Sequence, residues 1–135
     1  QYMAKQLSIT AAQCSEAGRK AANEDSCGIR DLGPEQHAIK GVACAIADGL
    51  SASAAGREAA EACVQGFLSD YFSTPDSWSV EHAGSKVLSA INRWLYAQGQ
   101  NQYHSSRGMV TTFSALVIKA IGAGNHPIEH ALRGK

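Results

Sequence analysis

Two groups of carboxylates in this sequence could share a hard cation. Asn23-Glu24-Asp25 stands at the entry of a candidate strand, and Asp48-Gly49 closes the apolar run Val42-Ala43-Cys44-Ala45-Ile46-Ala47. An acid at a strand end can project into a site, and an adjacent glycine lets backbone approach a ligand closely. Two such acids on neighbouring strands would offer oxygen ligands suited to Mg²⁺ or Mn²⁺. Asp-Gly is also a common turn pair, so spacing alone leaves ordinary turn chemistry open. Other signals are weaker. His126-Pro127-Ile128-Glu129-His130 fits the H-x-x-E-H pattern of some zinc proteases. It follows a Gly-rich turn and has no acidic residue after it, so it reads as a short terminal helix or a frayed end. His37, His82 and His104 lie in polar contexts and are expected to be exposed. Cys14, Cys27, Cys44 and Cys63 contain no Cys-x-x-Cys pair and read as reduced core thiols, not as a zinc or redox site.

These acids need strands to hold them. Leu7, Ile9 and Ala11 alternate with Ser8, Thr10 and Ala12, the period of a strand with one buried face. Ser26 to Arg30 is a second candidate strand, followed by the turn signal Asp31-Leu32-Gly33-Pro34. The 42–47 run has the character of a strand buried on both faces. Small residues at 51–55 lead into a helix whose stripe is Ala60, Cys63, Val64, Phe67, Leu68 and Tyr71, ended near Pro75. A second helix starts at Ser79, a fitting N-cap, carries Val80, Val87, Ile91, Trp94 and Leu95 on one face, and is expected to stop at Gly99. Trp78, Trp94 and Tyr71 read as helix packing. Val110 to Ile118 is β-branched and apolar and reads as another strand. Beyond residue 120, Gly122, Gly124, Asn125 and Pro127 are expected to break any continuing strand. Two successive helices between strands point to an α+β fold with antiparallel sheet.

Composition sets outer limits. The chain has 135 residues, with 12 basic and 12 acidic side chains and 44% hydrophobic residues. That supports one domain or a piece of one, and argues against a disordered tail. Zero formal charge argues against nucleic acid as a partner. No apolar run approaches the roughly 20 residues of a membrane span, and no secretory signal pattern opens the chain, so a cytoplasmic location is expected. Charge is polarised along the chain: Glu129 is the sole acid after Glu81, so carboxylate chemistry belongs to the first part.

Three segments together resemble the metal-dependent type 2C (PPM) serine/threonine phosphatases. Gly18-Arg19-Lys20-Ala21-Ala22-Asn23-Glu24-Asp25-Ser26 is similar to their first signature. Ala45-Ile46-Ala47-Asp48-Gly49-Leu50, with Ala55-Gly56-Arg57-Glu58-Ala59-Ala60 after it, is similar to the second. Met109-Val110-Thr111-Thr112-Phe113-Ser114-Ala115-Leu116 resembles the Gly-Thr-Thr strand. Order and separations agree over roughly residues 7–119, and the look is that of bacterial members. The resemblance implies part of a four-layer α-β-β-α sandwich with antiparallel sheets, its C-terminal strands missing. Residues 1–119 would be the N-terminal part of the phosphatase domain, and 120–135 an unmatched C-terminal tail.

By the same resemblance the activity is hydrolysis of phosphoserine and phosphothreonine by water activated at two Mg²⁺ or Mn²⁺ ions. Asp25 would ligate one metal, Asp48 both, and the Gly49 carbonyl one. Glu24 would hold a metal-bound water, and Lys20 or Arg19 the phosphate. The partners implied are a phosphorylated protein substrate and a fused or cognate protein kinase. The sequence departs from the pattern in three ways. Lys20 stands where the family places its phosphate-binding arginine, and lysine lacks the bidentate fork. Leu50-Ser51-Ala52-Ser53 replaces Met-Gly-Gly, and Val110 replaces a glycine. The family's later metal-binding aspartates have no counterpart, because no Asp follows Asp76. Weak metal binding and little turnover are therefore expected of this chain alone. The alternative is a non-catalytic pseudophosphatase or interaction module of the same fold.

Overall fold

Alanine on every second position of one strand decides how the helices approach the sheet. The computed structural model describes residues 7–13, 23–50, 53, 55–105, 108–121 and 126–134. Its elements are β1 (Asp25–Arg30), α1 (Pro34–His37), β2 (Val42–Asp48), α2 (Gly56–Phe72), α3 (Val80–Tyr103), β3 (Phe113–Ile121) and β4 (His126–Gly134). The strands form one antiparallel sheet in the order β1-β2-β3-β4. Ala43, Ala45 and Ala47 of β2 turn to one face, with Phe113, Ala115 and Val117 of β3, and all are buried. Side chains this small let α2 settle close to the sheet. At Gly28 of β1 an added Cβ would meet Leu68 and Val64 of α2. The fold is thus α+β, as the element order implies.

The α2 stripe is buried as its spacing predicts: Ala60, Cys63, Val64, Phe67, Leu68 and Tyr71 all belong to the core. Phe67 anchors it, with its ring 5.1 Å from that of Phe113 and 5.7 Å from that of Tyr71. Ser79 caps α3, its hydroxyl accepting from the His82 N–H at 3.1 Å, and Val80, Val87, Ile91 and Leu95 face the core. No helix among the described residues is long and apolar enough to cross a membrane.

A buried polar tie joins α2 to the loop before β2. The Tyr71 hydroxyl donates to the Lys40 carbonyl at 2.7 Å, and the Lys40 ammonium donates to the Pro75 carbonyl at 3.1 Å. Burial, aided by the charge of Glu81, pushes the Tyr71 phenol up to about 12. Its folded-state pKa lies above the ordinary value of 10.0, so the native state holds the proton longer than the unfolded chain. Its stabilisation is complete below about pH 10 and is lost as pH rises toward 12. Urea unfolding at about pH 9 and pH 11 should show this loss. Tyr71→Phe should lack the step, but start lower by about 1–3 kcal/mol because the Lys40 carbonyl loses its donor.

The structure departs from expectation at several elements. Residues 7–13 carry no regular structure, although Leu7 and Ile9 are half-buried and alternate with exposed Ser8 and Thr10; the period is that of a strand, but no strand among the described residues pairs with it. The helix expected to stop at Gly99 runs on to Tyr103, and His104 closes it in the left-handed conformation (φ 52°). Gly99 serves close packing instead: a Cβ there would meet Ser105 and Met109 backbone, and one on Gly108 would meet Gly99. The terminal helix or frayed end expected around 126–130 is strand β4, which pairs with β3 from Phe113↔Gly134 to Ile121↔His126. Pro127 is tolerated because β4 is an edge strand. His37 is buried (5% exposed), not exposed, and its Nε2 lies 2.7 Å from the Asp31 carboxylate. The Gly33 N–H, and then the His37 contact, hold the Asp31 carboxyl below the usual range. His82 and His104 are exposed as expected, while Trp94, read as a packing residue, is 49% exposed.

Candidate functional site

The two carboxylates that the sequence places far apart meet at one end of the sheet. β1 begins at Asp25 and β2 ends at Asp48, and the antiparallel register makes these two residues direct partners. Side chains directly opposite on neighbouring strands have Cβ atoms about 5 Å apart and share a face. Both aspartates are exposed. That spacing suits two carboxylates sharing a small hard cation.

The backbone around Asp48 is held from both sides. On the β1 side the Gly49 N–H donates to the Glu24 carbonyl at 3.0 Å. On the other side the Thr112 N–H donates to the Asp48 carbonyl at 2.9 Å, and the Leu50 N–H to the Val110 carbonyl at 3.0 Å. The Thr112 hydroxyl accepts from the Asp48 N–H at 3.2 Å and lies 3.3 Å from the Asp48 carbonyl, within donating reach. Thr111 is buried, and its hydroxyl donates to the Thr112 carbonyl at 2.8 Å. The Asn23 side chain accepts from the Asp25 N–H at 3.0 Å, which orders the entry to β1.

The start of α2 presses into this corner. A Cβ on Gly49 would overlap the Gly56 carbonyl group, and a Cβ on Gly56 would overlap the Glu24 carboxylate and approach the Leu50 carbonyl. The half-buried Glu24 side chain therefore lies at the first residue of α2, where free N–H groups and the helix dipole favour a carboxylate. The Ala55 N–H donates to the Gly108 carbonyl at 2.8 Å, tying the same corner to the segment before β3.

Asp25 and Asp48 thus meet at one end of the sheet with Gly49 next to them, whereas the Glu24 side chain lies on the α2 side, beside Gly56. Arg19 and Lys20, the residues expected to hold phosphate, lie outside the described residues, as does Cys14. Among the described residues, no three His, Cys, Asp or Glu side chains gather closely enough to hold a metal ion. Gly56 does not stand out from residue type or spacing, and Thr112 is legible only as a member of the Thr-Thr pair in the third motif, with no sign that its partner would be Asp48.

The sheet face that carries Asp25 and Asp48 is otherwise mostly apolar, with Ser114 its exposed polar residue opposite Ile46. Cys27, Ile29, Cys44, Ile46 and Leu116 line a groove of about 320 Å³ on it. Ile46 is 58% exposed, so the strand expected to be buried on both faces is covered on one. Cys44 is accordingly half-buried on the open face, whereas Cys63 is in the core and burial pushes its thiol up to about 11.

No protein-family model matches the chain, and no curated protein matches its sequence. Among solved structures it is similar to a crystal structure described as a bacterial serine phosphatase, with a TM-score of 0.54 and 17% sequence identity. The match covers 80% of this chain and 42% of that one, so the chain spans less than half the length of the protein it resembles. At this identity the likeness is one of fold.

Proposed function

We propose that residues 1–119 are the N-terminal part of a PPM-type protein phosphatase domain acting on phosphoserine and phosphothreonine, with 120–135 a tail outside its motifs. The observation that carries the reading is the pairing of Asp25 with Asp48 across β1 and β2. The fold likeness to a bacterial serine phosphatase supports it. In this reading the open apolar sheet face is one inner face of a four-layer sandwich, and the strand-like period of residues 7–13 belongs to that arrangement. A phosphoprotein is the substrate, a fused or cognate kinase the natural counterpart, and the cytoplasm the location.

The residues present fit part of a Mg²⁺ or Mn²⁺ site: two carboxylates share a strand end, and both are oxygen donors. Bound there, such an ion would lower the pKa of water and neutralise charge on a phosphoryl group. Asp25 and Asp48 would hold it, with the Gly49 carbonyl as a further oxygen. Glu24 would orient water from beside the α2 N-terminus, and Lys20 or Arg19 would grip the phosphate. A pair of side-chain ligands is few for this task, which favours weak binding and slow hydrolysis. The same shortage favours a second reading, a non-catalytic module of this fold.

Calorimetric titration with Mn²⁺, alongside hydrolysis of a phosphothreonine peptide, decides between them. The enzyme reading expects weak Mn²⁺ binding that Mg²⁺ competes away, with hydrolysis that is slow but metal-dependent. Absence of both at millimolar metal would leave the module reading standing.

A further inference from the structure

We infer that the Thr112 hydroxyl positions Asp48, clamping its peptide where β2 leaves the sheet. The inference rests on the metal-site reading above and adds to it a residue outside the ligand set. Asp48 is the last residue of β2, and strand ends fray when their backbone groups lack partners. Three contacts hold this one from the β3 side, and two of them use the Thr112 side chain. The Asp48 N–H has the Thr112 oxygen, 3.2 Å away, as its acceptor, and the same oxygen lies 3.3 Å from the Asp48 carbonyl. Backbone alone supplies one contact, from the Thr112 N–H at 2.9 Å.

The next two peptides are pinned alternately, Gly49 to Glu24 and Leu50 to Val110. The hydroxyl therefore closes the one gap in a run that hangs the Asp48–Leu50 backbone between two strands. The direction of the Asp48 side chain follows its peptide plane. A carboxylate that must meet a cation together with Asp25 tolerates about 0.5 Å of error. Thr112 is exposed, so its hydroxyl is not required for core packing. Its role is geometric: its hydroxyl acts through the Asp48 backbone, and it is not one of the proposed ligands.

The test compares Thr112→Val, which keeps the branched shape and loses the hydroxyl, with Thr112→Ser, which keeps the hydroxyl. Thr112→Ala serves as a second hydroxyl-free variant in which nothing can clash. The first readout needs no metal. Amide hydrogen exchange at Asp48 should quicken at least about tenfold in the Val and Ala variants, with Ile46 unchanged, and stay near wild type in the Ser variant. The second is Mn²⁺ affinity from the free-ion electron paramagnetic resonance signal. It should weaken about tenfold in the Val and Ala variants, and within about threefold of wild type in the Ser variant. Wild-type Mn²⁺ affinity in both hydroxyl-free variants would overturn the inference, as would an equal loss in Thr112→Ser. Failure of the underlying reading looks different: wild type itself binds no Mn²⁺, and the positioning role falls with it even if Asp48 exchange responds to the hydroxyl.

Discussion

Asp48→Asn should abolish Mn²⁺ binding while leaving the fold intact. Removing groups that merely orient a ligand costs about 10–100-fold in metal affinity. Removing a carboxylate that supplies the charge and the oxygen should cost more than about 100-fold. Asp25→Asn should do the same, and the double variant should be no worse than either alone, because both act on one site and their effects cannot add. Asp70→Asn, on the exposed side of α2 near its C-terminal end, should leave affinity unchanged. Like charges directly opposite on neighbouring strands repel, so the metal-free Asp48→Asn chain should melt slightly higher than wild type. Opposite signs for melting temperature and metal affinity distinguish a lost ligand from a damaged fold. Calorimetry with Mn²⁺ and thermal unfolding followed by circular dichroism read the two quantities. Additive losses for Asp25→Asn and Asp48→Asn would mean that the carboxylates do not share an ion.

Gly49→Ala should be among the most destabilising single methyl additions in this chain. The added Cβ meets the backbone of Gly56, the first residue of α2. Backbone at a helix start cannot step aside without moving the helix, and α2 carries much of the core, Phe67 and Tyr71 included. A cost of about 2–4 kcal/mol, or roughly 10 °C in melting temperature, is expected. Gly28→Ala makes the instructive comparison. Its Cβ would also be crowded, but by the ends of the Leu68 and Val64 side chains, which can shift. About 1 kcal/mol is expected there. Thermal unfolding of the two variants under one condition checks the ordering, and equal losses would show that the Gly49–Gly56 contact has room to relax.

The local reading of the sequence succeeded where one helix face or one strand run dominates. The α2 stripe from Ala60 to Tyr71 and the Ser79 cap of α3 are properties of neighbours within a few residues, and both are found as their spacing implies. The same reasoning failed at Gly99, where a glycine serves close approach by Gly108 and not a helix end. It failed again at His126–Gly134, where breakers outweighed the pairing that β3 offers. Residues 7–13 have a strand's alternation without a ladder, because alternation reports a half-buried face and says nothing of whether a partner strand is at hand.

The identities of the candidate residues were legible without coordinates: Glu24, Asp25, Asp48 and Gly49 stand at strand ends in the order of the motifs they resemble. Their meeting was not. It depends on the register of β1 against β2, and a one-residue slip would send one carboxylate to the opposite face of the sheet. The Thr112 clamp and the Gly49–Gly56 contact likewise join residues remote along the chain, through β3 and the start of α2. Composition and periodicity specify which side chains are apolar, charged or conformationally free, since these are local properties. Which of them face one another is settled only when strands pair and helices pack, because only then do distant backbones approach to within a hydrogen bond.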